Sequence, residues 1–242
     1  MKHRIKSLPF LKGWIRKVNN SNERSEWVQR QISEVPNGSL ILDAGCGSQQ
    51  YREFCTHLDY RGQDIGQYII DEKKMIGAES GGLGSGEGYQ YGKLDYVGDI
   101  WKIDEKYGTF DVVLCNEVFE HIPYPSETLK EFARLLKSGG TLILTAPSNC
   151  LRHMDPYFFY TGFSDRWYEK ILDQNGFLIE EITAVGDYYS WLGVEVARTA
   201  MAHSFFAKAI LLPAFLYYFS KKKTGVSVST PRMGYHVKAG KQ

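Results

Sequence analysis

The sequence predicts an α/β fold: a doubly wound, mainly parallel sheet of seven strands with helices on both faces. Three observations predict it. Short apolar runs alternate with helix-patterned segments five times, and two strand-like segments then close the order. The first apolar run, "LILDAGCG" at residues 40–47, passes straight into a carboxylate and a loop bounded by two glycines. The chain has 242 residues, 43% hydrophobic and 24% charged, which is enough to bury the core of one such domain.

Residues 22–35 pattern as a helix, with Trp27, Val28, Gln31 and Ile32 at helical spacing and Pro36, Asn37 and Gly38 as its stop. Residues 39–42 read as a strand buried on both faces, 48–57 as a helix, and 60–65 as a second strand ending at Asp64. Seven glycines in 77–92 read as a flexible surface loop. "KLDYVGDI" is a third strand ending near Asp99, and "FDVVLCN" is a fourth. A helix over 126–136 takes Ser126 as N-cap, buries Leu129, Phe132, Ala133 and Leu136, and stops at Gly139 and Gly140. "TLILTAP" is the fifth strand. Ser164 caps the next helix, which ends at Asn175 and Gly176. "FLIEEITAV" and "GYHVKAG" alternate as the last two strands, separated by a helical insertion or lid over about 186–225.

A net charge of +1 does not suggest a nucleic-acid binder, and no broad basic face is evident. The four cysteines form no C-x-x-C pair and no zinc-like Cys/His spacing, so they read as reduced thiols of a cytosolic protein with no evident metal site. Residues 1–21 form a basic amphipathic N-terminal segment ahead of a domain over 22–242.

The loop after the first strand explains the carboxylate. Ligands of open α/β sheets bind at the carboxyl ends of the strands. Gly45 and Gly47 let backbone approach such a ligand closely. The dinucleotide pattern G-x-G-x-x-G fails here, because Gln50 stands where the third glycine belongs, and Asp43 would repel a pyrophosphate. "LDAGCG", "YRGQDI", "VGDI", "FDVVLCNEVFEHI" and "LLKSGGTLILTAP" occur in that order. In this the chain resembles the class I S-adenosylmethionine-dependent methyltransferases, over roughly 22–185 and the final strand. The resemblance implies a Rossmann-like sheet and S-adenosyl-L-methionine as cofactor. It implies that Asp43, Gly45, Cys46 and Gly47 line the methionine and ribose part, and that Asp64, followed by Ile65, accepts both ribose hydroxyls. Asp99 then meets the adenine amine, Ile100 and Trp101 pack on its ring, and Asn116 sits by the methionine end.

Methyl transfer from a sulfonium mainly requires positioning and desolvation, so neither a metal nor a covalent intermediate is demanded. A hydroxyl acceptor benefits from a base, and His121, at the cofactor edge five residues after Asn116, is the candidate catalytic residue. A structural role for His121 stays open. Glu117 and Glu120 are alternative bases or helix-start carboxylates. His153, Asp155, Tyr157 and Tyr160 follow the fifth strand and shape an acceptor pocket or pack in a lid.

Two basic-apolar stretches bear on the acceptor. Residues 1–18 carry six Lys and Arg and no acid. Residues 205–219 are apolar but broken by Lys208 and Pro213, too short to span a membrane, and precede Lys221, Lys222 and Lys223. Both suit a membrane interface, and the second also suits a buried lid. The chain further resembles methyltransferases of bacterial surface-polysaccharide and glycolipid assembly. The expectation is therefore methyl transfer to a small-molecule acceptor, a hydroxyl of a sugar or lipid-linked glycan. It would take place in the cytoplasm, with peripheral contact at the inner face of the membrane and no nucleic-acid partner. Small aromatic or quinone-like acceptors stay open, and the alternative function is a methyltransferase-like binding module without catalysis.

Overall fold

The structure, a computed structural model, describes residues 20–66, 91–154, 156–202, 205–221, 224–229 and 233–242. The basic segment 1–18, most of the glycine-rich loop and Asp155 lie outside the described residues. Seven strands form one sheet: β1 (Leu40–Ala44), β2 (Asp59–Asp64), β3 (Tyr96–Val97), β4 (Phe110–Asn116), β5 (Leu136–Pro147), β6 (Phe177–Val185) and β7 (Gly234–Lys241). Their order is β3-β2-β1-β4-β5-β7-β6, with β7 antiparallel to both neighbours and the other pairs parallel. The order reverses between β1 and β4, which opens a crevice at the carboxyl ends of these strands.

The period-two rule divides the core. Ile41, Val112, Leu114 and Ile143 face one side, where they pack on Trp27, Val28 and Ile32 of helix α1 (Asn20–Ser33). Leu42, Val113, Cys115, Leu142 and Leu144 face the other side. There they meet Leu129, Phe132 and Leu135 of α2 (Pro125–Leu135) and Tyr168 and Leu172 of α3 (Asp165–Gln174). Burying each of these aliphatic side chains contributes about 1.5–3 kcal/mol. Because neighbours alternate between the two cores, β1, β4 and β5 read as unbroken apolar runs.

Three local expectations are corrected. Residue 126 is not the cap of α2: the cap position is Tyr124, without a side-chain bond, and Pro125 opens the helix where its missing N–H costs nothing. Gly139 and Gly140 do not stop α2, which ends at Leu135; they lie within β5, at the irregular register opposite Asp111. A Cβ on Gly140 would sit 3.1 Å from the Asp111 carbonyl, so glycine permits the close approach there. Over 48–57 only a 3-10 turn forms, Arg52–Cys55, after Gln49 takes a left-handed φ of 60° that interrupts any α-helix.

Between β6 and β7 run α4 (Tyr188–Ala202), α5 (Phe205–Ser220) and the short α6 (Gly225–Ser229). Asp187 starts this excursion, accepting from Ser190 at 2.7 Å and from the buried Ser227 hydroxyl at 2.7 Å. Gly193 of α4 packs beside Phe219 of α5, where even a Cβ would make only an ordinary 3.4 Å contact. None of the described side chains of α5 is buried, and Phe206, Ile210, Leu212, Leu216 and Tyr217 are exposed. No helix among the described residues is long and apolar enough to cross a membrane.

Candidate active site

Parallel pairing sets the ends of β1, β2 and β4 side by side, with Asp43 opposite Gly62 on one side and Leu114 on the other. The loop leaving β1 then folds back over β2. Gly45 (φ 75°) and Cys46 both donate their N–H to the Gln63 carbonyl at 2.9 Å. Gly47 (φ 52°) donates to Asp64 Oδ2 at 3.0 Å, and Gly66 donates to Asp64 Oδ1 at 3.1 Å. A side chain at residue 45 would have its Cβ only 2.5 Å from Val118 Cγ2, so glycine is required for space as well as torsion. Gln63 extends the stitching to the third strand, donating from Nε2 to the Gly98 carbonyl at 2.8 Å.

Asp43 is buried, and its Oδ2 accepts from the Tyr60 hydroxyl at 2.7 Å. Burial pushes its pKa up to about 7; the Tyr60 bond opposes this and the Asp64 charge adds to it. Burial, together with the Asp43 and Asp64 charges, raises the Cys46 thiol far above its ordinary value, which makes it a packing residue and not a nucleophile. Asn116 ends β4, its Oδ1 accepting from Thr145 at 2.9 Å and lying 3.4 Å from the Tyr51 hydroxyl. Asp43, Gly45, Cys46, Gly47, Asp64, Ile65 and Asn116 thus gather along one sheet edge. Asp99 and Ile100 occupy the turn after β3, Asp99 exposed and Ile100 buried in the core. Trp101 meets Tyr124 edge-on at 5.2 Å.

Beyond Asn116 the chain turns sharply. Glu117 has φ 54°, and its carboxylate accepts from Arg24 at 2.8 Å and Thr145 at 3.1 Å. The 3-10 turn Phe119–His121 follows. Phe119 fills the core, while Glu120 is buried at 2% exposure and His121 faces the loop after β5. His121 Nδ1 lies 2.6 Å from the Tyr157 carbonyl, and burial with the neighbouring His153 lowers its pKa to about 4. The Glu120 carbonyl accepts from the N–H groups of Phe159 and Tyr160, so that loop is fastened over this turn.

The sequence did not reveal two features here. One is Arg24, delivered by α1 from 93 residues away. The other is the approach of Glu120, His121 and His153, one ligating atom from each lying within 4.8 Å of the others. The adjacent Glu-His pair was visible in the sequence; the meeting with His153 depends on how the loop after β5 closes.

Comparison with known proteins bears on the family and the fold. Residues 42–144 match the family described as a methyltransferase domain. A ubiquinone biosynthesis O-methyltransferase of Dechloromonas aromatica is 32% identical over 122 residues, 50% of this chain and 49% of that protein. The chain therefore spans about half the length of the curated relatives it matches. Phosphoethanolamine N-methyltransferase 2 of Haemonchus contortus, solved with S-adenosyl-L-methionine, superposes with a TM-score of 0.52 at 16% identity, covering 91% of this chain and 52% of that one. Geranyl diphosphate C-methyltransferase of Streptomyces coelicolor gives 0.52 at 13% identity, covering 92% and 79%. At these identities the structural likeness speaks for the fold alone.

Proposed function

We propose that the chain, whose residues 42–144 match the methyltransferase-domain family, is a class I S-adenosylmethionine-dependent methyltransferase that binds this cofactor and methylates a hydroxyl of a small-molecule acceptor. The observation that carries the reading is the Asp64 carboxylate at the tip of β2, oriented by the Gly47 and Gly66 N–H groups. Two carboxylate oxygens with lone pairs to spare suit two vicinal ribose hydroxyls. Asp43 supplies negative charge where the cationic methionine end would lie. Asp99 and Ile100 are the proposed adenine contacts, and Asn116 the proposed methionine contact.

His121 is the proposed proton acceptor. A carbonyl only accepts, so the bond to Tyr157 fixes the ring proton on Nδ1 and leaves a lone pair on Nε2. For the acceptor we propose a lipid-linked molecule met at a membrane surface, because α5 presents Phe206, Ile210 and Tyr217 to solvent and ends beside Lys221. A glycan hydroxyl is the first reading. A hydroxyl of the kind handled in ubiquinone biosynthesis is the second, favoured by the 32% identity to an enzyme so named.

Calorimetric titration with S-adenosyl-L-methionine tests the first half: saturable one-to-one binding is expected, and none would leave only a non-catalytic module. Mass spectrometry of glycolipids and quinone precursors, with and without the gene, tests the second half. The species lacking one methylene in the deletion strain names the acceptor, and no such species in either pool would overturn both acceptor readings.

A further inference from the structure

Glu120 is buried at 2% exposure, yet its Oε2 has no hydrogen-bond partner and its Oε1 lies 3.6 Å from His121 Nε2. A carboxylate so placed costs several kcal/mol unless something positive meets it. His121 brings no proton to that side, since its Nδ1 carries the hydrogen to the Tyr157 carbonyl. His153 repeats the arrangement, with Nδ1 2.8 Å from the Leu151 carbonyl. In the neutral ring this leaves its lone pair on Nε2. The two imidazoles meet edge-on, with ring centroids 4.7 Å apart. One ligating atom from each of Glu120, His121 and His153 thus lies within 4.8 Å of the others.

We propose that Glu120, His121 and His153 form a divalent-cation site on the acceptor side of the cleft, a proposal that rests on reading that cleft as the methyl-transfer site. Two imidazoles and a carboxylate suit Zn²⁺, Mn²⁺, Fe²⁺ or Co²⁺ better than the all-oxygen preference of Ca²⁺ or Mg²⁺. The Nδ1–H bonds to backbone carbonyls are the outer contacts that orient metal-ligating histidines. Ligands on one such ion stand about 3.3 Å apart, so the donors must close by up to about 1.5 Å. His153 lies on a half-buried loop that can make that adjustment. Glu117 is not counted, because Arg24 and Thr145 hold its carboxylate.

Three protein ligands leave coordination positions open. An acceptor hydroxyl bound there loses its proton to water more readily, because the cation stabilises the alkoxide. The alkoxide oxygen pair then forms the new O–C bond to the sulfonium methyl group. The C–S pair stays on sulfur, giving a methyl ether and a neutral thioether. Two adjacent open positions favour an acceptor with two neighbouring oxygens, a vicinal diol, over an isolated alcohol. With the cation bound, His121 Nε2 is a ligand and accepts no proton, so its proton-acceptor role applies only to the cation-free site and water takes the proton here.

Cobalt(II) added to chelator-stripped full-length protein tests the site without any acceptor. The expected result is one equivalent of Co²⁺, with visible d–d absorption. Affinity should fall by more than about 100-fold in Glu120→Gln and in His153→Ala, beyond the loss of a mere outer partner. Because Glu120 is buried, the His153→Ala variant carries the test if Glu120→Gln does not fold. Absence of binding in the wild type, or equal binding in a folded His153→Ala variant, would overturn the site. A parallel S-adenosyl-L-methionine titration separates the two proposals. Cofactor binding without cobalt sinks only the cation site, and cobalt without cofactor sinks the methyl-transfer role.

Discussion

The Tyr60 hydroxyl donates at 2.7 Å to Asp43 Oδ2, a carboxylate whose pKa burial has pushed up to about 7. Asp43 therefore changes charge near neutrality. The folded pKa is raised, so its contribution to stability is fully present below about pH 4 and is lost as pH rises through about 7. The span corresponds to about 4 kcal/mol at most. Urea unfolding of the cofactor-free protein should show the wild type losing stability relative to Asp43→Asn between about pH 4 and pH 7, with the difference levelling off above that. Cofactor binding should move the other way, because a sulfonium favours ionised Asp43. Its affinity should tighten with pH in the wild type and much less in Asp43→Asn. Equal pH profiles for the two proteins would contradict the placement of the cationic end at Asp43.

Asp64 holds the loop of β1 and the turn after β2 through two backbone N–H donors. Asp64→Ala should weaken S-adenosyl-L-methionine binding by about tenfold or more, the equivalent of roughly 1–3 kcal/mol in lost charged hydrogen bonds. It should also lower the melting temperature, since Gly47 and Gly66 lose their acceptor. Isothermal titration and thermal melts read the two effects separately. An unchanged dissociation constant in a destabilised variant would make Asp64 a purely structural residue.

The Arg24–Glu117 pair fastens α1 to the turn beyond β4, with side chains 19% and 24% exposed. Breaking one partner leaves the other charge largely buried. Arg24→Met should destabilise by about 1–3 kcal/mol, and Arg24→Met with Glu117→Gln should recover part of the loss. A double-mutant cycle by chemical denaturation measures this, and strictly additive effects would remove the pair from any role in holding the turn.

How legible these features were follows their range. The bounds of β4 and β6 were readable because "FDVVLCN" and "FLIEEITAV" carry their own apolar runs and glycine stops. Ser164 was readable as a cap because its partner, the Trp167 N–H, is three residues away. The helix over 48–57 failed on one torsion at Gln49, which no composition shows. Gly139 and Gly140 looked like a helix stop, but a close backbone approach in β5 uses them instead. The Arg24 and His153 contacts bridge dozens of residues and exist only once the sheet order is set.

His236 lies in β7 against the Trp27 ring at 4.9 Å, and burial, aided by Arg24, lowers its pKa to about 4. The unfolded histidine binds its proton near the ordinary value of 6.5, so the folded state binds fewer protons between there and about 4. Stability should therefore fall as pH drops through that window, by at most about 3 kcal/mol from this residue. His236→Gln should flatten that part of the pH–stability curve measured by urea midpoints. An unchanged slope would assign the acid sensitivity elsewhere.

The exposed apolar residues of α5 give the last prediction. Phe206, Ile210 and Tyr217 face solvent, and Lys221 Nζ lies 4.2 Å from the Tyr217 ring centroid, so charge and aromatic sit together at the helix end. An interface helix buries such residues in the headgroup region and keeps its lysines at the surface. The full-length protein should float with vesicles rich in anionic lipid and release as salt rises. Replacing Phe206, Ile210 and Tyr217 by serine should abolish flotation while leaving the free energy of unfolding in urea within about 0.5 kcal/mol of wild type, as for surface positions. A large loss of stability would instead show that these side chains serve packing, and undiminished flotation would place membrane contact outside α5.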